Sequence, residues 1–562
     1  MLPLRRRSPE PGPRIAAGAA AGSHARPRPV RPRPGRGRPR GRGLRVPGAT
    51  ACARVSRQRP LGHRRARSPP ARSADRRVIR PHLDPARVVI EALRLDRWSP
   101  DEVERRADRA LSLGVGGFIL FGGEADRVGR LVERVRHDAA RPLWIGADLE
   151  RGAGQQIRGL IELPPPAALA AAPDPGAAVS AAGRVTAREA LSVGINWVIA
   201  PVLDLDSEPD NPIIATRSFG ADPRRVGELG VRWIDACQSA GAAACAKHFP
   251  GHGRTTEDSH IGLPSIDAAA ELLEEDLAPF AAAADRVASV MVAHVAYPAL
   301  GGERAATVEP NIVSGLLRGR LGFEGVVTTD AMIMGGAGPD DADAAVEAVA
   351  AGCDLICYPA DAGGTIASLT RAADDARFAA RLEEAVTRSD RHRPPSSPAS
   401  RPAFEPVAFA RDTIVGDVEV VSGWTPRVPT RVVGVSDDPD VGPPAGRAGP
   451  LGTIVADELR ATGWRITDSS DAGQCIVVLA ATPRGWKGRG APAAEVVEQT
   501  RALIRSARRG LVVLLGHRRW LDVLGVPGIC AWSTETVMER AAADWLRSAA
   551  TAAETRPGGA GR

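Results

Sequence analysis

Three of the ten histidines in this chain fall within one short segment, residues 246–260, whose sequence is AKHFPGHGRTTEDSH. The same segment contains Lys247, one of only two lysines in the chain, in which the other basic residues among 74 Lys plus Arg are arginines. A lysine in such a chain indicates a site that needs a compact ammonium rather than a planar guanidinium. We therefore expect the chemistry of the protein to be concentrated here, on Lys247 and on the histidines His248, His252 and His260.

The second half of this segment is predicted to be a loop, because a proline and two glycines interrupt it after Phe249. Asp258 and His260 lie two residues apart on that loop. The alternative is a surface loop with incidental histidines, which we consider the weaker interpretation. A metal site is disfavoured as well, since His248 and His252 are four residues apart but separated by Pro and Gly rather than carried on a helix. We predict no metal and no cofactor.

Seven apolar runs are predicted to be strands: residues 116–121, 142–148, 195–204, 242–248, 289–294, 325–330 and 353–359. Helical patterns occupy residues 99–114, 177–193, 268–284 and 342–351. The first of these begins with a serine cap, Ser99, and a proline at the first helical position. Continuous apolar strands that alternate with helices are typical of a parallel α/β fold.

Polar residues recur at the carboxyl ends of these predicted strands, namely Asp148, Asp204, Lys247 with His248, His294 and Asp330. Enzymes built on (β/α)8 barrels take their catalytic groups from the same strand ends. We therefore predict a TIM-type (β/α)8 barrel over residues 81–391, with a doubly wound open sheet as the alternative. Any one of these residues could instead cap a helix or lie on a loop, and for Asp204 the two interpretations are evenly balanced.

A second, smaller α/β domain is predicted over residues 407–552, after a Pro- and Ser-rich linker at 392–406. Its predicted strands are 430–437, 474–482, 510–517 and 528–534, with helices at 451–462 and 493–507. This order favours an open sheet with helices on both faces. The glycine-rich residues 485–490 do not lead from a strand into a helix, so they do not form a phosphate-binding loop. Residues 553–562 are predicted to be a frayed tail.

The net charge of +8 conceals an asymmetry. Residues 1–80 contain 23 arginines against Glu10 and Asp75, so the remainder of the chain is acidic. The Arg/Pro/Gly-rich composition of residues 1–80 predicts disorder. This tail could be a basic arm that contacts nucleic acid or another anionic surface. The alternative, which we favour, is an upstream extension without a role. We expect no nucleic-acid partner for the rest of the chain.

The seven cysteines form no CxxC pair and have no regular spacing. Such a scattered, apolar-flanked set predicts buried free thiols in a reducing compartment. No apolar run is long enough for a transmembrane helix, so no membrane association is expected. The arginines near the N-terminus lack a convincing apolar run behind them, which favours the cytoplasm, with export as the alternative. We expect a monomer.

Several motifs together resemble glycoside hydrolase family 3, especially its β-N-acetylglucosaminidase branch. They cover most of residues 85–365 in the family's order, and the long KHFPGHG and DSH combination is the most specific part. The motifs are APVLD at 200–204, NPIIATRSFG at 211–220 with Asp222 and Pro223, KHFPGHG at 247–253, DSHIGLP at 258–264, VAHVAYP at 292–298 and GFEGVVTTDAM at 322–332. The resemblance of the C-terminal domain to the family's second domain is weak.

The resemblance implies roles for particular residues. Asp330 would be the nucleophile that forms a covalent glycosyl-enzyme. His260 and Asp258 would form the acid/base dyad, with histidine moving the proton and the carboxylate orienting its ring. The residues that would hold the sugar are Asp148, Arg217, Lys247 and His248. A helix N-cap is the alternative role for Asp330.

The chain departs from the family pattern around Asp148. Many members read DxEGGRVxR, whereas this chain reads DLERGAGQQ at 148–156, so the second arginine of the pattern falls on Gln156. An amide can still hydrogen-bond a sugar hydroxyl but carries no charge. We therefore assign Gln156 to substrate binding, and the identity of the sugar depends on it.

The resemblance implies a retaining β-N-acetylhexosaminidase that releases terminal β-linked N-acetylglucosamine from peptidoglycan- or chitin-derived fragments. A β-glucosidase or a β-N-acetylglucosaminide phosphorylase on the same scaffold is the first alternative. Phosphate is a plausible acceptor because a neutral histidine repels an anion less than a carboxylate does. A carbohydrate-binding protein without catalysis and a nucleic-acid-binding protein acting through the basic tail are the alternatives from other classes.

Overall fold

The computed structural model describes residues 83–555, apart from residue 339 and the segments 396–398, 438–449 and 483–489. The predicted disordered tail at 1–80, part of the linker, most of the glycine-rich 485–490 segment and the end of the predicted C-terminal tail therefore lie outside the described residues. The extents predicted for the linker and the two domains stay predictions.

Eight parallel strands form a barrel in the order β10-β1-β2-β3-β4-β5-β6-β9. The ring closes where Leu355, just before β10, pairs in parallel with Thr328 of β9. This confirms the barrel and excludes the doubly wound alternative. The strands are β1 Val89–Arg94, β2 Gly117–Phe121, β3 Trp144–Ala147, β4 Trp197–Val198, β5 Ala243–Phe249, β6 Ser289–Val292, β9 Val326–Thr329 and β10 Ile356–Cys357, and β7 Ala296–Tyr297 pairs with β8 Gly302–Ala305 in a separate antiparallel hairpin.

Helices cover the outside of the barrel. They are α1 Pro100–Leu113, α2 Ala125–Asp138, α3 Pro166–Ala171, α4 Pro175–Ser192, α5 Pro223–Ser239, α6 Ala270–Ala283, α7 Asp341–Ala351, α8 Ala362–Ala372 and α9 Ala376–His392, with a π-helical segment at Asn311–Arg320. The predicted cap of α1 is present, since the Ser99 hydroxyl accepts from the Glu102 N–H at 3.3 Å. The four helical patterns of the barrel region thus appear as α1, α4, α6 and α7.

Strand β1 was not among the predicted strands. Its sequence VIEALR places charged residues at Glu91 and Arg94, which obscure the strand pattern. In the barrel Ile90 and Ala92 belong to the interior cluster, while Val89 and Leu93 pack against the helices. The alternation of a strand therefore brings Arg94 to the inner face at the carboxyl end.

The C-terminal region forms a second parallel sheet, in the order β11-β12-β13-β14. Its elements are β11 Thr430–Ser436, β12 Gln474–Ala481, β13 Arg509–Gly516 and β14 Gly528–Cys530, with α10 Pro406–Arg411, α11 Thr453–Ala461, α12 Ala494–Arg505, α13 Arg519–Leu524 and α14 Thr536–Thr555. Residues of α11 and α14 pack on one face of the sheet, and residues of α12 and α13 pack on the other. The predicted open sheet with two covered faces is confirmed.

The two sheets are joined by polar contacts. Asp206, which follows β4, forms ion pairs with Arg519 and, at 3.2 Å, with His517. Arg151, which follows β3, pairs with Glu535 at 3.1 Å. Both barrel residues lie on loops that follow the carboxyl ends of strands, so the C-terminal sheet is anchored on that end of the barrel.

All six cysteines among the described residues are buried free thiols, as predicted. The reducing compartment inferred from them stays a prediction. Within the same residues, none of the helices has both the length and the apolar character that crossing a bilayer requires.

Candidate active site

A cavity of about 530 Å³ opens at the carboxyl end of the barrel strands. Its lining includes all residues to which a catalytic or sugar-binding role was assigned except Asp258, and it also includes His252 and Ser259; the assigned residues are Asp148, Gln156, Arg217, Lys247, His248, His260 and Asp330. Lys247 and His248 end β5, and Asp330 follows β9. Asp258 is not among the lining residues, and its nearly buried side chain contacts His260. The barrel thus brings together residues from widely separated parts of the chain.

Asp330 presents a carboxylate to this cavity. One oxygen, Oδ1, accepts a hydrogen bond from the Ala331 N–H at 2.7 Å. Burial alone would raise the pKa of Asp330, but electrostatic interactions with His248 and His294 and the hydrogen bond from the Ala331 N–H outweigh it and lower that pKa. Asp330 is therefore ionised at neutral pH, which is the form that a nucleophile requires.

His260 and Asp258 form a close pair at the edge of the cavity. The ring Nδ1 of His260 lies 2.7 Å from Asp258 Oδ1, and the His260 backbone N–H donates to the same oxygen at 2.9 Å. The His260 side chain is 63% exposed, whereas the Asp258 side chain is 8% exposed. The hydrogen bond that the His260 ring donates to Asp258 raises the pKa of His260 above its ordinary value. The buried carboxylate thus fixes a solvent-accessible imidazole.

Lys247 belongs to a buried cluster of charges. Its ammonium Nζ lies 2.6 Å from Asp148 Oδ1 and 2.6 Å from Glu150 Oε1. Arg217 makes a bidentate pair with Glu150, through Nε and Nη2, each at 2.8 Å. Burial would lower the pKa of Lys247, but the two carboxylates raise it, so the ammonium stays charged.

Glu150 was not assigned a role from the sequence, although it falls within the quoted DLE motif. Burial would raise the pKa of Glu150, but Arg217 and Lys247 hold it well below its ordinary value. Its carboxylate is 4% exposed and joins the two cations that the sequence assigned to sugar binding. Glu150 lies two residues beyond Asp148, a predicted strand-end carboxylate, and this closeness could have identified it as a site residue.

Asp204 lies below His248 and is fully buried. Its Oδ2 lies 2.7 Å from His248 Nδ1, while Oδ1 accepts the backbone N–H groups of His248 at 3.1 Å and His252 at 2.7 Å. The sequence left a site role for Asp204 evenly balanced against a helix cap or a loop carboxylate. These contacts show that Asp204 is neither a helix cap nor an exposed loop carboxylate. Burial would raise the pKa of Asp204, but His248 lowers it, so the group supports His248 as an anion.

His252 is buried, and both of its ring nitrogens face hydroxyl groups. Nδ1 lies 2.9 Å from Thr255 Oγ1, and Nε2 lies 3.0 Å from Ser259 Oγ. Burial lowers the pKa of His252 to about 4, so the ring is neutral. Its ring stands nearly perpendicular to that of His248, at 5.9 Å between centroids.

His294 was predicted at a strand end and lies two residues beyond β6. Its Nδ1 is 2.6 Å from Thr307 Oγ1, and burial lowers its pKa. It interacts electrostatically with Asp330, and this interaction contributes to the lowered pKa of that carboxyl. His294 therefore lies close to Asp330 and is not among the residues that line the cavity.

Further residues line the cavity that the sequence did not single out, among them Arg94, Arg97, Phe121, Arg151, Gln155 and Tyr358. The guanidinium of Arg94 lies over the Phe121 ring at 4.7 Å and is bound by Asp96. Gln156, which occupies the position of the family's second arginine, accepts from the Gly122 N–H at 3.3 Å. Arg94 could not be identified because its strand, β1, was not predicted.

Comparison with protein families gives one match that covers more than half of the chain. The model described as the glycosyl hydrolase family 3 N terminal domain matches residues 93–391. These bounds lie within a few residues of the strands and helices of the barrel, from β1 to α9.

Two proteins of similar sequence are named as glycosidases. A beta-N-acetylglucosaminidase/beta-glucosidase of Cellulomonas fimi is 32% identical over 422 residues, which cover 69% of this chain and 72% of the relative. A beta-hexosaminidase of Pseudomonas aeruginosa (strain LESB58) is 37% identical over 254 residues, or 43% of this chain and 75% of the relative.

Solved structures are similar over both sheets. A glycoside hydrolase family 3 beta-N-acetylglucosaminidase from Paenibacillus sp. str. FPU-7 superposes with a TM-score of 0.70 at 27% identity, covering 83% of this chain and 96% of that chain. A beta-glucoside phosphorylase superposes with a TM-score of 0.71 at 20% identity, covering 83% of this chain and 91% of that chain, and at this identity the likeness is one of fold alone.

Proposed function

Because this chain belongs to glycosyl hydrolase family 3 and is a glycosidase, we propose that it is a retaining β-N-acetylglucosaminidase. Its substrates would carry a terminal β-linked N-acetylglucosamine, as peptidoglycan- and chitin-derived fragments do. The observation that carries the proposal is the contact of 2.7 Å between His260 Nδ1 and Asp258 Oδ1, at the edge of the cavity that holds Asp330. A β-hexosaminidase and a beta-N-acetylglucosaminidase/beta-glucosidase among the similar proteins support it.

In the first step Asp330 attacks the anomeric carbon and the glycosidic C–O bond breaks. The carboxylate is suited to this because nearby positive charge keeps it ionised despite burial. The leaving oxygen takes a proton from His260 as the bond to it breaks, and the sugar stays as an ester on Asp330. The product of this step is a covalent glycosyl-enzyme and a free aglycone alcohol.

In the second step His260, now neutral, accepts a proton from water. The oxygen of that water attacks the anomeric carbon and the ester bond to Asp330 breaks, so the β configuration is restored. Asp258 keeps the ring oriented and stabilises the imidazolium. Because the Asp258 bond engages Nδ1, Nε2 is the nitrogen that exchanges the proton in both steps.

The cluster of Lys247, Asp148 and Arg217 would hold the sugar hydroxyls. Lys247 offers three donors, of which two are directed at Asp148 and Glu150. Arg217 is held by Glu150 and by the Ile213 carbonyl, so its remaining donors are presented in a fixed orientation. Gln156 would contribute a neutral amide to the same sugar.

The proposal is tested with aryl β-N-acetylglucosaminide and aryl β-glucoside, each with and without phosphate. We expect turnover of the N-acetylglucosaminide in the absence of phosphate, and free N-acetylglucosamine with retained configuration as the first product. Preferential turnover of the glucoside would assign the chain to β-glucosidases. Formation of a sugar 1-phosphate would identify a phosphorylase, and no turnover of either glycoside would overturn the proposed function.

A further inference from the structure

The residue between Asp258 and His260 is tied to the deep part of the site. Ser259 is buried, and its hydroxyl lies 3.0 Å from Nε2 of His252. The His252 backbone N–H donates to Asp204, which also holds His248. A continuous set of hydrogen bonds therefore leads from the floor of the cavity to the loop that carries the predicted acid/base pair.

The hydrogen-bond partners define the direction of these bonds. The Thr255 hydroxyl donates to the His252 carbonyl at 3.2 Å, so its oxygen is left to accept from His252 Nδ1–H at 2.9 Å. Asn211 fixes Thr255 from the other side, since its amide donates to Thr255 Oγ1 at 3.3 Å. A neutral ring with its proton on Nδ1 has a lone pair on Nε2. His252 Nε2 therefore accepts from the Ser259 hydroxyl.

The same loop is also held by the backbone that follows Asp330. The Gly336 N–H donates to the Ser259 carbonyl at 3.0 Å, and the Gly335 N–H donates to the His260 carbonyl at 3.2 Å. A Cβ at position 335 would lie 2.5 Å from the Ile261 carbonyl oxygen, which leaves no room for a side chain. These bonds fix the height of the loop above the nucleophile. The hydroxyl of Ser259 adds a side-chain contact to this backbone support, on His252 Nε2.

We propose that His252 is a positioning residue for the acid/base pair, because its Nε2 holds Ser259 and thereby sets where His260 stands relative to Asp330. The inference rests on the proposed function. His252 and Ser259 reach the cavity lining but are each 1% exposed, and the role proposed for His252 is to hold Ser259 rather than to move a proton. Its low pKa, about 4, supports the assignment, since a ring that stays neutral keeps the lone pair that Ser259 requires.

The test is Ser259→Ala, which removes only one hydroxyl, assayed on two aryl β-N-acetylglucosaminides. The 2,4-dinitrophenyl glycoside needs no proton on its leaving group, whereas the phenyl glycoside does. We expect kcat/KM to fall about tenfold on the phenyl glycoside, a fraction of the effect of a full general acid, and to change less than about twofold on the dinitrophenyl glycoside. KM should change little, because Ser259 is 1% exposed and its hydroxyl is bound to His252.

Two histidine variants and one control separate positioning from packing. His252→Gln places an amide near the position of Nε2, so it should retain more phenyl glycosidase activity than His252→Asn, which reaches only the position of Nδ1. Ser389→Ala removes another buried hydroxyl, which accepts from Trp144 Nε1 at 2.9 Å away from the cavity lining, and should affect both glycosides equally.

The outcomes distinguish this inference from the proposed function. If the wild type is active while the kcat/KM of Ser259→Ala is unchanged or falls equally on both glycosides, the proposed function stays intact but the role of His252 is overturned. Equal activity of the Gln and Asn variants at position 252 also contradicts it. If the wild type hydrolyses neither glycoside, the proposed function fails and the positioning role fails with it.

Discussion

Asp258 binds His260 at two points through a single oxygen, since Oδ1 faces both the ring Nδ1 at 2.7 Å and the backbone N–H at 2.9 Å. The backbone bond fixes the turn, and the ring bond fixes the imidazole plane. A partner only two residues away can therefore orient a side chain that is itself 63% exposed. The pair needs little support from the rest of the fold to keep its internal geometry.

This contact predicts a pH dependence. The bond to Asp258 raises the pKa of His260, and protonated His260 is the form that the first step needs. Activity is therefore retained up to a higher pH than a free imidazole would allow and is lost as the pH rises through the pKa of His260. In Asp258→Asn we expect the basic limb of kcat/KM to move to lower pH, measured on the phenyl glycoside.

The matched control is Glu257→Gln, which removes an exposed carboxylate one position away. Its basic limb should coincide with that of the wild type. If Asp258→Asn left the limb in place, the limb would belong to another group and His260 would not be the acid.

A second prediction concerns Asp330. Asp330→Asn keeps the shape of the side chain and the bond from the Ala331 N–H but removes the nucleophilic charge. We expect kcat to fall by roughly three orders of magnitude or more, because the covalent intermediate cannot form. The measurement is steady-state turnover, together with mass spectrometry after treatment with a fluorinated glycoside that forms a long-lived ester.

Asp340→Asn serves as its control, since Asp340 caps α7 through its side-chain oxygen, and an asparagine keeps that cap. It should form the covalent adduct at the wild-type rate. An adduct that maps to a peptide without Asp330 would reassign the nucleophile.

Much of this site could be predicted from the sequence, for reasons that differ between residues. The family resemblance implied the pairing of Asp258 with His260, which also lie only two residues apart, and the strand-end positions of Asp148, Lys247 and Asp330 follow from the parallel fold. The barrel, seven of its strands and the second sheet were likewise encoded in local apolar runs. These features depend on short-range patterns that one sequence displays.

Other features depend on partners that only the folded chain brings together. Glu150 acts through Lys247 and Arg217, which come from distant segments. Asp204 has its role because β4 stands beside β5, so that it meets His248. Strand β1 was not predicted because its sequence ends in Arg94, a charged residue that is unusual in an apolar strand. In the fold Arg94 lines the cavity, which accommodates its charge.

A third prediction concerns the stability of the charge cluster. Lys247 is 2% exposed and lies between Asp148 and Glu150. Lys247→Met would leave those carboxylates without the ammonium, so we expect the free energy of unfolding to fall by about 3–5 kcal/mol, as when one partner of a buried pair is removed. The measurement is urea unfolding followed by circular dichroism.

Arg105→Ala is the control, because it breaks an ion pair with Glu102 on the exposed face of α1. It should leave the free energy of unfolding unchanged within error. A Lys247→Met protein as stable as the wild type would mean that the cluster does not depend on its ammonium, and the predicted sugar contacts of Lys247 would then need to be tested by activity alone.

A fourth prediction concerns the anchor between the two sheets. Arg519 and His517 of the C-terminal sheet hold Asp206, only two residues beyond the Asp204 that supports His248. Arg519→Ala removes the charged partner of Asp206 and leaves the weaker His517 contact. We expect faster amide hydrogen exchange over residues 203–211 and a loss of several-fold in kcat/KM, equal for the phenyl and dinitrophenyl glycosides because no proton-transfer group is displaced.

The control for this prediction is Arg518→Ala, at the neighbouring exposed position, which should change neither the exchange rate nor kcat/KM. Faster exchange with unchanged turnover would show that the anchor stabilises the loop without supporting the site, and a selective loss on the phenyl glycoside would show that it acts on the acid/base pair instead.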